Sequence, residues 1–171
     1  MATNLNWVPH GGIVAHVPPE QIPRIELPPQ ATTIRMNGKP AFHVTLIGRL
    51  VMLPYATALG NLWPGIADTA PPPPTAQLGQ ELLLGEDKVK HAKSWIVEVL
   101  NAAEFRDYVR ELAALIDRTL RAADHGRFIN EDVGRRFHVT IANDQGGDPM
   151  KSPSKAALTQ SAATASNRRG M

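Results

Sequence analysis

Phe42-His43-Val44-Thr45 and Phe137-His138-Val139-Thr140 are the same four residues in the same order. Each opens an apolar run, Leu46-Ile47 after the first copy and Ile141-Ala142 after the second. Their β-branched and aromatic content marks both as strands. Successive strand residues point to opposite faces, so His43 and Thr45 share one face while Phe42 and Val44 share the other. His138 and Thr140 are separated from Phe137 and Val139 in the same way. Each copy therefore buries an apolar pair and presents an imidazole beside a hydroxyl. Laid side by side, the two strands bring two such pairs together, a two-handed acid/base site.

Working outward from the first copy, Thr32-Thr33-Ile34-Arg35-Met36 precedes it across Asn37-Gly38-Lys39-Pro40. Asn-Gly between apolar runs is a hairpin signal, which predicts residues 32–36 antiparallel to residues 41–47. Upstream, Ile13-Val14-Ala15-His16-Val17 reads as a short strand, and Pro18, Pro19, Pro23, Pro28 and Pro29 rule out a long helix before the hairpin. Downstream, Pro54–Leu62 reads as a short helix, with Pro54 tolerated in its first turn. Residues 64–76 read as irregular, because Pro71–Pro74 cannot pair in a sheet. Gln80–Leu84 and Ser94–Leu100 read as strands, with a turn at Gly85-Glu86-Asp87. Before the second copy lies the clearest helix, Ala102–Ala123, with Asn101 as its N-cap and Gly126 near its close. Phe105, Tyr108, Val109, Leu112, Leu115, Ile116 and Leu120 repeat on one side of it, with Arg106, Asp107, Arg110, Glu111, Asp117, Arg118 and Arg121 opposite. Asp117 and Arg121 are spaced as a helical ion pair. Strands joined by hairpins and broken by helices indicate an α+β fold with antiparallel sheets.

A chain of 171 residues, 43% hydrophobic, is long enough for one domain with a sizeable core, and residues 1–150 are read as that domain. Residues 151–171 carry Lys151, Lys155, Arg168 and Arg169 with no acid and read as a basic, disordered tail. The remaining 14 basic and 16 acidic groups leave the body nearly neutral, which argues against a surface built to coat long nucleic acid. A small anionic ligand remains compatible with it. With no cysteine, disulfide scaffolds, thiolate zinc sites and cysteine nucleophiles are excluded. The start of the chain lacks a basic segment followed by an apolar core, and no run of 18 apolar residues occurs, so a cytoplasmic protein without a membrane partner is expected.

Histidine titrates near neutrality, so one imidazole can be neutral while another is protonated, which suits a base and an acid acting together. Displacement at phosphorus needs both: one group takes a proton from the attacking oxygen and the other protonates the departing one. Thr45 and Thr140, each two residues along the same face, can donate hydrogen bonds to non-bridging phosphate oxygens, where one well-placed donor contributes roughly 3–4 kcal/mol. Neither a metal nor a cofactor is required by this chemistry. A single His on a strand is usually structural and a single Thr there is an ordinary strand former. Two copies of the full tetrad outweigh that reading. His10 and His16 are spaced to share a strand face as metal ligands, but no carboxylate cluster accompanies them and the structural reading outweighs it. His91 and His125 fall in polar turns. Trp63, Trp95 and Tyr55 are candidates for stacking on a base, with core packing the better account of Trp95. Arg136 shares the face of His138 by alternation, as a phosphate ligand or as a solvated residue ahead of the strand.

The pattern His43-Val44-Thr45 and His138-Val139-Thr140 resembles the two-histidine (2H) phosphoesterase superfamily, which carries two His-x-Thr/Ser motifs on facing strands of a bilobal α+β fold. The order of elements between them, Glu81–Gly85, Ser94–Val99 and the long helix, looks like that family too, over roughly residues 12–143. The resemblance implies antiparallel sheets with the two strands facing a central cleft and helices outside. It also implies cofactor-free, metal-independent cleavage of 2′,3′-cyclic phosphates, 2′-5′ linkages or related nucleotide phosphodiesters, with His43 and His138 sharing acid and base duties and Thr45 and Thr140 binding phosphate. Phe137–Asn143 followed by Gly147-Asp148-Pro149 is most similar to the phage anti-CBASS proteins, which hydrolyse cyclic di- and trinucleotide messengers of bacterial immunity. That likeness implies a cyclic oligonucleotide as the partner, in the host cytoplasm if the chain is phage-encoded. Short RNA as substrate, RNA-end processing and a non-catalytic nucleotide-sequestering module stay open beside it.

Overall fold

The computed structural model describes residues 4–8, 12–132, 134–151 and 158–161. In chain order the strands and helices begin with β1 (Leu5–Val8), β2 (Gly12–Val17), β3 (Thr32–Thr33), β4 (Arg35–Met36), β5 (Lys39–Pro40) and β6 (Phe42–Ile47). There follow α1 (Arg49–Met52), α2 (Ala56–Leu59), α3 (Trp63–Thr69), β7 (Leu83–Asp87), β8 (Ala92–Glu98), α4 (Ala102–Ala122), β9 (His138–Asn143) and β10 (Leu158–Ser161). The fold is mixed α+β, and the β1–β2, β3–β9, β4–β5, β6–β9, β7–β8, β7–β10 and β8–β9 pairs are antiparallel, as the hairpin and alternation signals predict. The chain divides into two compact units. Unit 1 comprises residues 1–16, 45–75 and 101–137, and unit 2 comprises residues 17–44, 76–100 and 138–171. Among the described residues no helix is long and apolar enough to cross a membrane.

In unit 1, β1 and β2 form a hairpin with Trp7 opposite Ile13. The segment after β6 is not one helix over 54–62 but α1, a tight turn at Leu53–Tyr55, and α2. Helix α3 occupies a stretch that the sequence marks as irregular. Pro64 sits in its first turn, where a missing N–H costs nothing, and Trp63 packs against Trp7 with ring centroids 6.3 Å apart. Irregular backbone begins only after Ala70. Helix α4 buries Phe105, Tyr108, Val109, Leu112, Ile116 and Leu120, matching the predicted stripe, while Leu115 is half-buried. Asn101 occupies the N-cap position as expected, but its side chain makes no cap bond. Its Nδ2 donates instead to Thr75 O at 2.9 Å, and Tyr108 Oη donates to Pro71 O at 2.7 Å, so both ends of the proline run are tied to the start of α4. The predicted Asp117–Arg121 pair forms at 2.9 Å. Asp117 Oδ1 also accepts the backbone N–H of Phe128 at 2.8 Å, and that bond, helped by Arg121, holds its carboxyl below the ordinary value.

Burial, reinforced by the charge of Glu111, pushes the Tyr108 phenol from 10.0 up to about 12. Tyr108→Phe is expected to cost about 1 kcal/mol through loss of the bond to Pro71, or roughly 2–4 °C in Tm. The sign of the pH dependence follows from linkage. Above pH 10 the unfolded tyrosine loses its proton while the folded one keeps it to about pH 12. The advantage of the wild type over Tyr108→Phe should therefore shrink across that window, which paired thermal melts at pH 8 to 11 would measure.

Unit 2 holds β6 as far as Val44, followed in the sheet by β9-β8-β7-β10, with β3 also pairing to β9. The proline-punctuated segment lies over one face of this sheet, where Ile25, Leu27 and Ala31 pack against buried Leu82, Trp95 and Ala142. The turn at Asn37 (φ +54°) and Gly38 (φ +78°) forms as predicted, but the hairpin is short, pairing only Arg35 with Pro40 and Met36 with Lys39. Residues 32–33 turn away to Ala142 and Asn143, and Ile34 N donates to Ile141 O at 2.8 Å, so the expected pairing of 32–36 with 41–47 is replaced by pairing with β9. The strand expected at Gln80–Leu84 is displaced to Leu83–Asp87. Gly85 pairs with Ser94 inside the ladder, and the turn falls at residues 88–91, where the Asp87 carboxylate accepts from Val89 N and Lys90 N. Leu158–Ser161, placed by the sequence in a disordered tail, pairs with β7 as β10. The rest of that expected tail, residues 152–157 and 162–171, lies outside the described residues.

Candidate active site

Four short side chains in alternation fix the site. On β6 and β9, Val44 stands directly opposite Val139, and both are 0% exposed. Phe42 and Phe137 are buried as well, Phe137 against the ring of Phe105 on α4. The alternate positions, His43, Thr45, His138 and Thr140, are each half-buried. The apolar partners thus sit in the core, and the polar ones reach a solvent-accessible face, as the tetrad predicts.

Register decides which polar groups meet. With Val44 opposite Val139 in an antiparallel ladder, one step along each strand brings His43 opposite Thr140. Directly opposed residues have Cβ atoms about 4.5–5.5 Å apart, so an imidazole and a hydroxyl in this relation can engage one ligand atom group. Thr45 follows two residues after His43 on the same strand and shares its face by alternation. On the far side of β9, His138 pairs with Glu98 and Thr140 with Ile96 of β8. Glu98 is a neighbour of the candidate site that sequence reasoning did not single out. It closes a strand in which Ser94, Trp95, Ile96 and Val97 are all buried, so alternation does not single it out, and its partner depends on strand register.

A bulge shapes the same region. Between Trp95 and Ile96 the β8–β9 register slips by one, as Ile96 pairs with Thr140 and Trp95 with Ala142, leaving Ile141 as the extra residue. A bulge bends and twists its strand, and here it falls immediately after Thr140. The strand then ends in a turn built on Asn143. This side chain is fully buried: its Nδ2 donates to Asp148 O at 2.7 Å, and its Oδ1 accepts from Gln145 N at 3.0 Å and Gly147 N at 2.8 Å. Gly147 has φ +80°, and a Cβ there would meet the Thr33 carbonyl oxygen, so glycine is required twice over. Asp144 Oδ1 accepts Lys93 N at 2.8 Å and closes the turn onto β8.

The remaining candidates are dispersed. Trp95 is in the core, Tyr55 packs edge-on to Phe128 at 4.7 Å, and Trp63 packs on Trp7. Arg136 precedes β9 and is exposed, as are His91 and His125 in their turns. His16 is exposed on β2, and His10 lies outside the described residues. Among the described residues, no three His, Asp or Glu side chains cluster as a metal site. Comparison with protein-family models, curated proteins and solved structures gives no match to this chain.

Proposed function

We propose that this protein is a metal-independent phosphodiesterase acting on a small nucleotide phosphodiester, with His43 and His138 as the acid/base pair and Thr45 and Thr140 as donors to the phosphate. The observation that carries the reading is the Val44–Val139 register, which sets the first histidine opposite the second threonine on one half-buried face. In the reaction one imidazole accepts a proton from water as its oxygen bonds to phosphorus. The bond from phosphorus to the leaving ribose oxygen breaks, and the other imidazole, protonated at the start, gives that oxygen its proton. The two histidines finish with protonation states exchanged and are reset by solvent. The threonine hydroxyls stabilise charge as it builds on the non-bridging oxygens. A bilobal arrangement of the superfamily type is part of this proposal, and the division of the chain into two compact units is compatible with it.

The test is a hydrolysis screen over 2′,3′-cyclic nucleotides, 2′-5′ linked oligonucleotides and cyclic di- and trinucleotides, run with and without chelator. Turnover of at least one class, unaffected by chelator and absent in the His43→Ala/His138→Ala double variant, is the expected result. Turnover confined to cyclic oligonucleotides would support the narrower anti-CBASS reading. Tight binding of a ligand that is recovered uncleaved, or activity lost to chelator and restored by metal, would overturn the proposal.

A further inference from the structure

We infer that Glu98 positions His138 and keeps it protonated, so that His138 is the acid and His43 the base; this rests on the two-histidine reading proposed above and removes its symmetry. The two tetrads are identical in sequence, but their neighbours are not. Between β6 and β9 the two tetrads meet symmetrically about Val44 and Val139, whereas on the β8 side His138 is paired in addition with Glu98. Direct cross-strand partners share a face with Cβ atoms about 4.5–5.5 Å apart, within reach of a glutamate carboxylate and an imidazole N–H. Both residues are half-buried, which weakens solvent screening between them. On its other side the Glu98 carbonyl accepts the N–H of Gly79 at 2.8 Å, which ties this end of β8 to the segment before β7.

Two nearby groups among the described residues work in the opposite direction. His43 on β6 is a diagonal neighbour, and Arg136 lies two residues earlier in the chain. Each opposes a second positive charge. Glu98 is thus the group that favours the imidazolium, and an imidazole donating one N–H to a carboxylate has its other nitrogen aimed away from that carboxylate, toward the ligand. At a pH between the two titrations, His138 carries the proton destined for the leaving oxygen. His43 is then neutral and takes the proton of the attacking water.

The experiment is an NMR titration of the His43 and His138 imidazoles in the wild type, Glu98→Gln and Glu98→Asp, paired with pH–rate profiles. In Glu98→Gln the His138 midpoint should move to lower pH with His43 moving less, and Glu98→Asp, which keeps the charge, should hold the midpoint near wild type. The alkaline limb of kcat/KM should move with His138, and kcat should fall about tenfold with little change in KM, as expected for a weakened general acid. An unchanged His138 midpoint in Glu98→Gln, or equal displacement in both variants, would overturn the assignment. If the wild type turns over no substrate, the phosphodiesterase reading falls, while the midpoints still decide whether Glu98 governs His138.

Discussion

His43→Ala and His138→Ala should each lower kcat by about 10²–10⁴-fold, the usual contribution of a positioned general acid or base, while both proteins unfold near the wild-type temperature. The separation of activity from stability comes from strand alternation. His43 and His138 are half-buried, so truncating them leaves the buried face formed by Phe42, Val44, Phe137 and Val139 untouched. Thr45→Val and Thr140→Val keep the β-branched shape and remove only the hydroxyl, and a loss of roughly 10²–10³-fold in kcat is expected if each donates to developing phosphate charge. Single-turnover kinetics beside thermal melts for the four variants would decide it. Full activity in either histidine variant would refute two-histidine catalysis. Loss of activity matched by loss of folding would show that these side chains are structural.

The parts of the fold that the sequence disclosed are those governed by local alternation or helical period. Phe-His-Val-Thr shows its buried and accessible faces without any knowledge of its neighbours, and α4 shows its inner stripe from Phe105 to Leu120 in the same way. What failed depended on pairing at a distance. Ile34 could have continued a hairpin with Ala41, and one bond of that kind does form, but its N–H is committed to Ile141, more than a hundred residues away. Gly85 looked like a turn because glycine is a poor strand former; opposite Ser94 it is simply a ladder position. Residues 64–76 looked irregular because the Pro71–Pro74 run cannot pair in a sheet, yet Trp63–Thr69 ahead of that run is a helix that closes with Ala70 N donating to Ile66 O. The candidate site shows the same division. The residue types and their faces were legible in the tetrads, whereas Glu98 beside His138 is a matter of register and had no local signal.

Asn143→Ala should cost about 2–4 kcal/mol, lowering Tm by roughly 5–15 °C, because three backbone groups lose their partner at once. The Gly147 N–H is buried and would be left unsatisfied. Gln145 N and Asp148 O are in half-buried surroundings, where water can replace part of what is lost. Asn143→Asp makes a sharper test, because a carboxylate keeps both acceptor bonds but sets an oxygen against the Asp148 carbonyl, where the amide had donated. Only a protonated carboxyl can donate there. The folded state would therefore hold this group's proton to higher pH than the unfolded state, so the variant's deficit should be smallest in acid and grow as the carboxyl ionises. Melts of wild type and variant at paired pH values would show that trend or its absence. The same variants discriminate between two readings of Asn143 and Gly147-Asp148, the residues on which the narrower anti-CBASS proposal rests. If their role is the turn that ends β9 three residues after Thr140, Asn143→Ala assayed well below its Tm should retain the wild-type KM. A raised KM in the folded variant would instead assign this turn to substrate recognition.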